Sequence, residues 1–316
     1  MEQNSKDRWF VVFNPMAGSS KAAFLWKEIA ETLYASGVKY ESYIIRKNVY
    51  AADQVCEAVK NGFRRFVAVG GDGTINQVLA GLRMSPPTGE RLTMAVIPIG
   101  SGNDWIKLYG IPKDYKEAIR LIAGDGLSRG QDIGNALFMS SGKRSYMMNI
   151  AGVGLDAYVC DVVNKMKSEG KRGKRIYVEG LARAFFSYKC RNAKVFCDGE
   201  PVYRGKMLSL SIGNGKYTGG GMLQTPDAVP DDGLFDVCII KHIPFGKLIF
   251  KVKKLFDGTL PSDPYVIMKR CRSVRVEAEP ESLVEIDGEV LGSTPVLFEN
   301  EHLAIDVIVP RRWEAV

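Results

Sequence analysis

Hydrophobic positions in the first 125 or so residues alternate between two rhythms. Short apolar runs at Trp9–Phe13, Val38–Ile45, Phe66–Val69 and Thr93–Ile99 predict strands, because nearly continuous apolar stretches suit strands buried on both faces. Between them, apolar residues recur at helical spacing: Leu25, Trp26, Ile29 and Leu33; Ala52, Val55, Cys56 and Val59; Ile75, Val78, Leu79 and Leu82; Tyr115, Ala118, Ile119 and Ile122. Strand–helix alternation of this kind predicts a parallel sheet covered by helices on both faces. Ligands of such sheets bind outside the carboxyl ends of the strands.

Near Gly130–Asn135 the period changes. Beyond it come short alternating or apolar runs at Ser145–Val153, Ala193–Cys197, Lys206–Ile212, Leu234–Ile240, Ser273–Ala278, Leu283–Val290 and Leu303–Val309, punctuated by Gly, Pro and Asp-Gly. That texture predicts an antiparallel sandwich or barrel.

Composition narrows the function classes. A chain of 316 residues accommodates two domains. Cys56, Cys160, Cys190, Cys197, Cys238 and Cys271 are scattered, which argues for reduced thiols over a zinc site or a disulfide set. With only His242 and His302 present, a histidine metal site or a Ser-His-Asp triad is disfavoured. Residues Met1–Arg8 are polar, and no window approaches the roughly 20 apolar residues of a membrane span. The expectation is a cytoplasmic protein. Its formal charge of +7 favours acidic partners, but no nucleic-acid module or interleaved aromatic platform accompanies that charge.

Three loops at predicted strand ends carry the candidate chemistry. The central one is Gly70-Gly71-Asp72-Gly73-Thr74-Ile75-Asn76, at a strand-to-helix turn where glycines let main-chain N–H groups approach an anion. A carboxylate beside a phosphate is repelled unless a metal or proton intervenes, so Asp72 hints at magnesium; the alternative is a helix N-cap. Asn14-Pro15-Met16-Ala17-Gly18 and Gly100-Ser101-Gly102-Asn103-Asp104 have the same placement. None ends in the Lys-Ser of a Walker A motif. In the second half, Val229-Pro230-Asp231-Asp232-Gly233-Leu234 suits either a hard cation or an ordinary Asp-Gly turn. Ile286-Asp287-Gly288-Glu289 places two carboxylates on one turn, as a general base held by a neighbour would need.

Taken in order, these pieces resemble the diacylglycerol kinase catalytic family, the bacterial lipid kinases related to sphingosine and ceramide kinases. The resemblance also uses Asn149 with Gly152 and Gly154, and Asn214 with Gly219-Gly220-Gly221. It implies an α/β plus all-β architecture: a Rossmann-like nucleotide domain over residues 1–132, rejoined by a last strand at about 303–316, and a β-sandwich lipid domain over 133–302, with the active site in the cleft between them. It further implies ATP held by Asn14, Pro15, Met16, Ala17, Gly18, by Gly70 through Asn76, and by Ser101. Asp72, Asp104 and Asp132 match an acidic magnesium environment, and Val229, Asp232 and Leu234 match a second magnesium site. Glu289 matches the general base, with Asp287 in its network. One position departs: where the family has a nucleotide-contacting Thr after the second strand, this chain has Ile45, flanked by Arg46 and Lys47.

The implied reaction is transfer of the ATP γ-phosphate to a lipid hydroxyl, diacylglycerol being the commonest acceptor in the family and sphingoid bases, ceramide and phosphatidylglycerol alternatives. NAD kinases share a Gly-Gly-Asp-Gly loop, but the Gly-Ser-Gly-Asn-Asp and Asp-Gly-Glu motifs fit lipid kinases better. A lipid substrate implies peripheral membrane contact, and the reading leaves room for a homodimer. Phe245, Leu248, Ile249, Val252, Leu255 and Phe256 share one helical face, with Lys247, Lys251, Lys253 and Lys254 beside it, which suits a membrane surface or a helix packed on the β domain. Lys165, Lys167, Lys171, Arg172, Lys174 and Arg175 form a second cationic run.

Overall fold

A computed structural model of the chain describes residues 5–20, 22–46, 49–100, 102–169, 179–180, 182–184, 187–248, 251 and 253–313. They form two compact units, Met1–Asp132 with Leu303–Val316, and Ile133–His302.

The first unit is built from β1 (Trp9–Phe13), α1 (Ala22–Ala35), β2 (Tyr40–Ile44), α2 (Ala52–Lys60), β3 (Arg65–Gly70), α3 (Asp72–Met84), β4 (Thr93–Pro98), α4 (Asp104–Tyr109) and α5 (Tyr115–Arg120), followed by the start of β5 (Gly126–Phe138). Its sheet runs β4-β3-β1-β2 with parallel pairings. Every residue of β1 is buried, whereas β2 at the sheet edge is half exposed, which is why the first reads as a solid apolar run and the second as a mixed one. Ile29 and Leu33 of α1 pack with Val11, Val67 and Ile97 at no measurable exposure. Each such side chain contributes roughly 1.5–3 kcal/mol by leaving water.

The second unit comprises β6 (Arg144–Met147), β7 (Ile150–Gly154), α6 (Leu155–Ser168), β8 (Arg191–Cys197), β9 (Glu200–Gly213), the small pair β10 (Tyr217–Thr218) and β11 (Met222–Leu223), β12 (Phe235–Lys241), β13 (Val266–Cys271), β14 (Ser273–Glu279), β15 (Leu283–Ile286), β16 (Glu289–Ser293) and the start of β17 (Val296–Pro310), whose residues from Leu303 onward belong to the first unit. The long β9 pairs antiparallel with β8 along its first half and with β7 and β12 along its second. Phe138, Val153, Val195, Ile212, Phe235, Val276 and Phe298 fill one shared core. Within the first unit, Asp306 and Val307 of β17 pair parallel with β4.

Several elements differ from the periodicity reading. The run Ser145–Val153 is two strands, β6 and β7, interrupted where Met148, Asn149 and Ile150 turn their amides toward the Asp287 carboxylate. The run Leu283–Val290 is the hairpin β15–β16, reversed at Asp287-Gly288, both at positive φ. Helix α6 lies in the half read as all strand; its apolar residues Val159, Val162, Val163 and Met166 pack locally. The basic apolar segment near 245–256 is not one helix in its described residues. Helical turns occur at Phe245–Leu248 and Lys254–Asp257; Ile249 and Val252 of the expected apolar face lie outside the described residues, as do Lys171, Arg172, Lys174 and Arg175 of the second cationic run. No helix among the described residues is long and apolar enough to cross a membrane.

Candidate functional site

In the first unit, three loops at the carboxyl ends of adjacent strands are tied to one another. Asn14, just after β1, donates Nδ2 to Thr74 Oγ1 at 3.0 Å and accepts the Met16 N–H through Oδ1 at 3.0 Å. Gly18 sits at φ +55°, and a Cβ there would lie 2.4 Å from the Ile99 carbonyl oxygen. Only glycine brings the first loop so close to the third. Gly100 is equally constrained: a Cβ would stand 2.5 Å from Gly71 Cα. Pro15, Met16 and Ala17 continue the first loop, with Met16 exposed and Ala17 N–H donating to the Asn14 carbonyl at 3.2 Å.

Asp72 stands where these loops meet. It opens α3, immediately after Gly70 and Gly71 and before Gly73, Thr74, Ile75 and Asn76, the last three buried. No side-chain cap bond forms at this helix start. Instead Asp72 Oδ2 accepts the Asp104 N–H at 3.4 Å, and its Oδ1 is buried with no hydrogen-bond partner. Burial, then the nearby Asp104 charge, raises the Asp72 pKa; the amides of Asp104, Trp105 and Asn103 oppose the shift. Asn103, at φ 53°, likewise has a buried Oδ1 without a partner. Two orphaned buried oxygens in one loop cluster fit a cation or a protonated ligand group, since leaving such atoms unpaired is costly. Magnesium beside a phosphate satisfies that requirement. Beside these loops lies a cavity of 480 Å³ lined by Gly18, Gly100 and Asn103 together with Lys113, Asp114 and Tyr115.

Other predicted members take different roles. The Asp104 carboxylate is paired with Lys107 at 2.5 Å. Asp132 is wholly buried, and its Oδ1 accepts the Leu303 N–H at 2.7 Å, so it secures the returning strand. Ile45 is buried and donates its N–H to the Phe13 carbonyl at 2.9 Å, so its apolar side chain extends the core at the position where a Thr was expected. Ser101 lies outside the described residues.

In the second unit, Asp287 accepts three backbone N–H groups, from Met148 at 2.8 Å, Asn149 at 2.9 Å and Ile150 at 3.2 Å. The Asn149 carbonyl in turn accepts from Asn214 and Gly215 at 2.9 and 3.1 Å. Asp287 is therefore an anchor that gathers three distant motifs, and Glu289, exposed at the first position of β16, is the carboxylate the turn presents to solvent.

The turn expected to hold a second cation is organised around an arginine. Asp232 Oδ1 accepts the Leu234 N–H at 3.0 Å, and Oδ2 is ion-paired with Arg270, whose Nε also reaches Asp236 at 3.3 Å. Both Asp232 oxygens are thus engaged, so in this arrangement the Asp232 carboxylate of the expected Val229, Asp232 and Leu234 site serves Leu234 and Arg270. No group of three or more His, Cys, Asp and Glu side chains that could hold a metal occurs among the described residues.

Two family models account for most of the chain: the diacylglycerol kinase catalytic domain over residues 8–136, and the YegS C-terminal NAD kinase beta sandwich-like domain over residues 149–309. The chain belongs to the diacylglycerol kinase family of lipid kinases. It is 27% identical over 304 residues to the diacylglycerol kinase of Bacillus subtilis (strain 168), across 95% of this chain and 96% of that one. A protein of Alcanivorax borkumensis named "Probable lipid kinase YegS-like" is 28% identical over 261 residues, covering 81% of this chain and 82% of its own. The crystal structure of a diacylglycerol kinase from Bacillus anthracis str. Sterne shares the fold with a TM-score of 0.73 at 22% identity, over 98% of each chain. An NAD kinase from Archaeoglobus fulgidus in complex with ATP aligns at a TM-score of 0.50 and 16% identity, over 96% of this chain and 93% of that one. That last likeness is one of fold alone.

One group in this family member escaped the sequence reading. Glu285 is buried beneath the Asp287 turn and Asp156 is half-buried, with Ser211 and Gln224 beside Asp156. Glu285 sits among the apolar residues of β15, and period-two patterning gives no hint that an interior position carries an acid.

Proposed function

We propose that this family member transfers the γ-phosphate of ATP to the hydroxyl of a membrane lipid, with diacylglycerol as acceptor and phosphatidic acid as product. The observation that carries the reading is the meeting of three glycine loops at Asp72, whose buried oxygen lacks a partner. The loops Asn14–Gly18 and Gly70–Asn76, with Ser101, bind the triphosphate, which the first unit's helix starts favour electrostatically. Asp72, with Asp104 behind it, would hold magnesium, which would supply charge neutralisation at the triphosphate.

Glu289 is the general base. The acceptor oxygen attacks the γ-phosphorus, the bond to the ADP oxygen breaks, and the acceptor proton passes to the Glu289 carboxylate. Asp287 keeps that turn in place through its three amide bonds. The name of the Bacillus subtilis relative supports diacylglycerol as the acceptor.

Membrane contact through the 245–257 segment would draw on Lys247 and Phe256, both exposed. Lys251 and Lys254 contribute little charge there, because both are paired with the buried Asp263.

The test offers the purified chain labelled ATP with diacylglycerol, a sphingoid base, ceramide and phosphatidylglycerol in mixed micelles, and NAD in a parallel reaction. Label in phosphatidic acid is the expected result. Label in NAD, or in none of the lipids, would overturn it.

A further inference from the structure

Beneath the Asp287–Glu289 turn lie two carboxyl groups that the proposed chemistry does not use. Glu285, on β15, is 3% exposed as a residue, and its Oε2 accepts the Gly288 N–H at 2.8 Å. Asp156, in the first turn of α6, accepts Gln224 Nε2 at 3.0 Å through Oδ2. The two approach each other across Gly152 of β7. A Cβ at that residue would lie 2.7 Å from Glu285 Oε1 and 2.9 Å from Asp156 Cβ, so only a glycine leaves room for the pair.

Within the triangle of Ser211, Gln224 and Asp156 the hydrogen count is short by one. Ser211 Oγ lies 2.8 Å from Gln224 Oε1 and 3.2 Å from Asp156 Oδ2, yet a hydroxyl carries a single hydrogen. If Ser211 donates to Gln224, its contact with an ionised Asp156 brings two oxygens together with nothing between them. A proton on the acid pair completes the chain: Asp156 donates to Ser211, Ser211 to Gln224, and Gln224 back to Asp156.

The charges nearby point the same way. Of the elements packed against β15, β7 brings no titratable group, α6 brings Asp156 together with Tyr158, Cys160 and the mutually paired Asp161 and Lys165, β16 brings Glu289, and β6 brings Arg144 and Tyr146. The charged neighbours that act on Glu285 are Asp156 and Asp287, both acids. The side chains hydrogen-bonded to Asp156 are Ser209, Gln224 and Ser211, all neutral. Among the described residues, no cation acts on Glu285, and two ionised carboxylates in this space would be costly.

We propose that Glu285 and Asp156 hold one proton between them, and that this neutralised pair is the platform on which the Asp287-Gly288-Glu289 turn is positioned. Glu285 is a positioning residue: it acts through Gly288 and touches neither substrate nor nucleotide. The proton belongs to the pair and not to one member, as in any strongly coupled couple. Burial pushes the Glu285 carboxyl up to about 8 and raises Asp156 as well, in agreement with the hydrogen count. As a consequence for the reaction, which rests on the kinase reading above, ionising the pair loosens the turn that carries Glu289.

The experiment has arms that do not depend on activity. Infrared spectra of the wild-type chain, titrated from acid through neutral pH, should keep the carbonyl stretch of a protonated carboxylic acid at neutral pH, and that band should be lost when both acids are replaced, in the Glu285→Gln, Asp156→Asn double variant. The sign of the stability effect follows from a folded-state pKa above the unfolded value. The contribution is complete below the ordinary Glu pKa of 4.5 and declines until about 8. Relative to wild type, Glu285→Gln should therefore gain roughly 5 °C or more in melting temperature between the two ends of that window.

In the activity arm, Glu285→Ala should lower kcat about tenfold or more with the KM for ATP unchanged, and Glu285→Gln should recover most of that loss, because a neutral amide can replace a neutral acid. Should either Glu285 variant fail to fold, Asp156→Asn and the wild-type infrared titration decide. Absence of the carboxylic acid band at neutral pH, or parallel melting curves for wild type and Glu285→Gln, would overturn the shared proton. If the spectral and melting arms succeed while no lipid is phosphorylated, the kinase reading fails and the pair stands.

Discussion

Asn14 donates its Nδ2 to Thr74 Oγ1 at 3.0 Å across 60 residues of sequence. The same side chain accepts from Met16, so one amide sets both the shape of the first loop and its spacing from the second. Asn14→Ala should raise the KM for ATP about tenfold, equivalent to one net hydrogen bond of about 1.4 kcal/mol. Steady-state kinetics with ATP varied is the measurement, and an unchanged KM would show that the loop spacing has no part in binding the nucleotide.

Asp72→Asn should separate catalysis from stability. Losing the carboxylate should cost about 10²- to 10³-fold in turnover, the usual penalty for removing a preorganised electrostatic partner. Stability should move the other way. Because the folded-state pKa is raised, the wild-type carboxyl contributes fully below about pH 4 and loses that contribution as pH rises. The Asn variant should melt at or above the wild-type temperature at neutral pH. Calorimetry of both proteins at acid and neutral pH checks the sign.

The two carboxylates of the Asp-Gly-Glu turn should fail differently. Glu289→Ala should reduce kcat by about 10² to 10⁴ while ATP binding stays near normal, as expected for a general base. Asp287→Ala removes the acceptor of three backbone N–H groups and should cost about 2–4 kcal/mol of stability. Denaturant unfolding alongside single-turnover kinetics distinguishes them. Equal destabilisation by both substitutions would contradict the division of labour.

Arg270 bridges Asp232 and the buried Asp236. Its guanidinium is about half exposed, so solvent screening limits the pair, and Arg270→Gln should cost only about 1–2 kcal/mol. Added magnesium should restore part of that loss through Asp232, and the restoration should disappear in the Arg270→Gln, Asp232→Asn double variant. Thermal melting with and without the cation reads it out; identical magnesium responses in the single and double variants would argue against arginine standing where a cation was expected.

Much of the first unit is legible in the chain because both faces of its sheet are covered. The uninterrupted apolar runs at β1 and β3 leave little alternative to buried parallel strands, and the glycine loops follow at their ends. The second unit was read less well where side chains interrupt the backbone pattern. Nothing in the apolar alternation of Ser145–Val153 shows that Asp287, far along the chain, captures three of its amides and splits the strand in two.

By itself, then, the order of residues determined the strand–helix alternation, the three glycine turns and the acidic side chains available to them, since these depend on local periodicity and on conformations that only glycine adopts without strain. Tertiary structure alone decided which of those acids remain open to a ligand and which are consumed. Asp132 secures Leu303, Asp287 holds a broken strand, Asp232 is taken by Arg270, and Asp72 keeps an oxygen without a partner. The physical reason is that a carboxylate's role is set by the donors and charges that reach it through space, and those arrive from residues tens to hundreds of positions away.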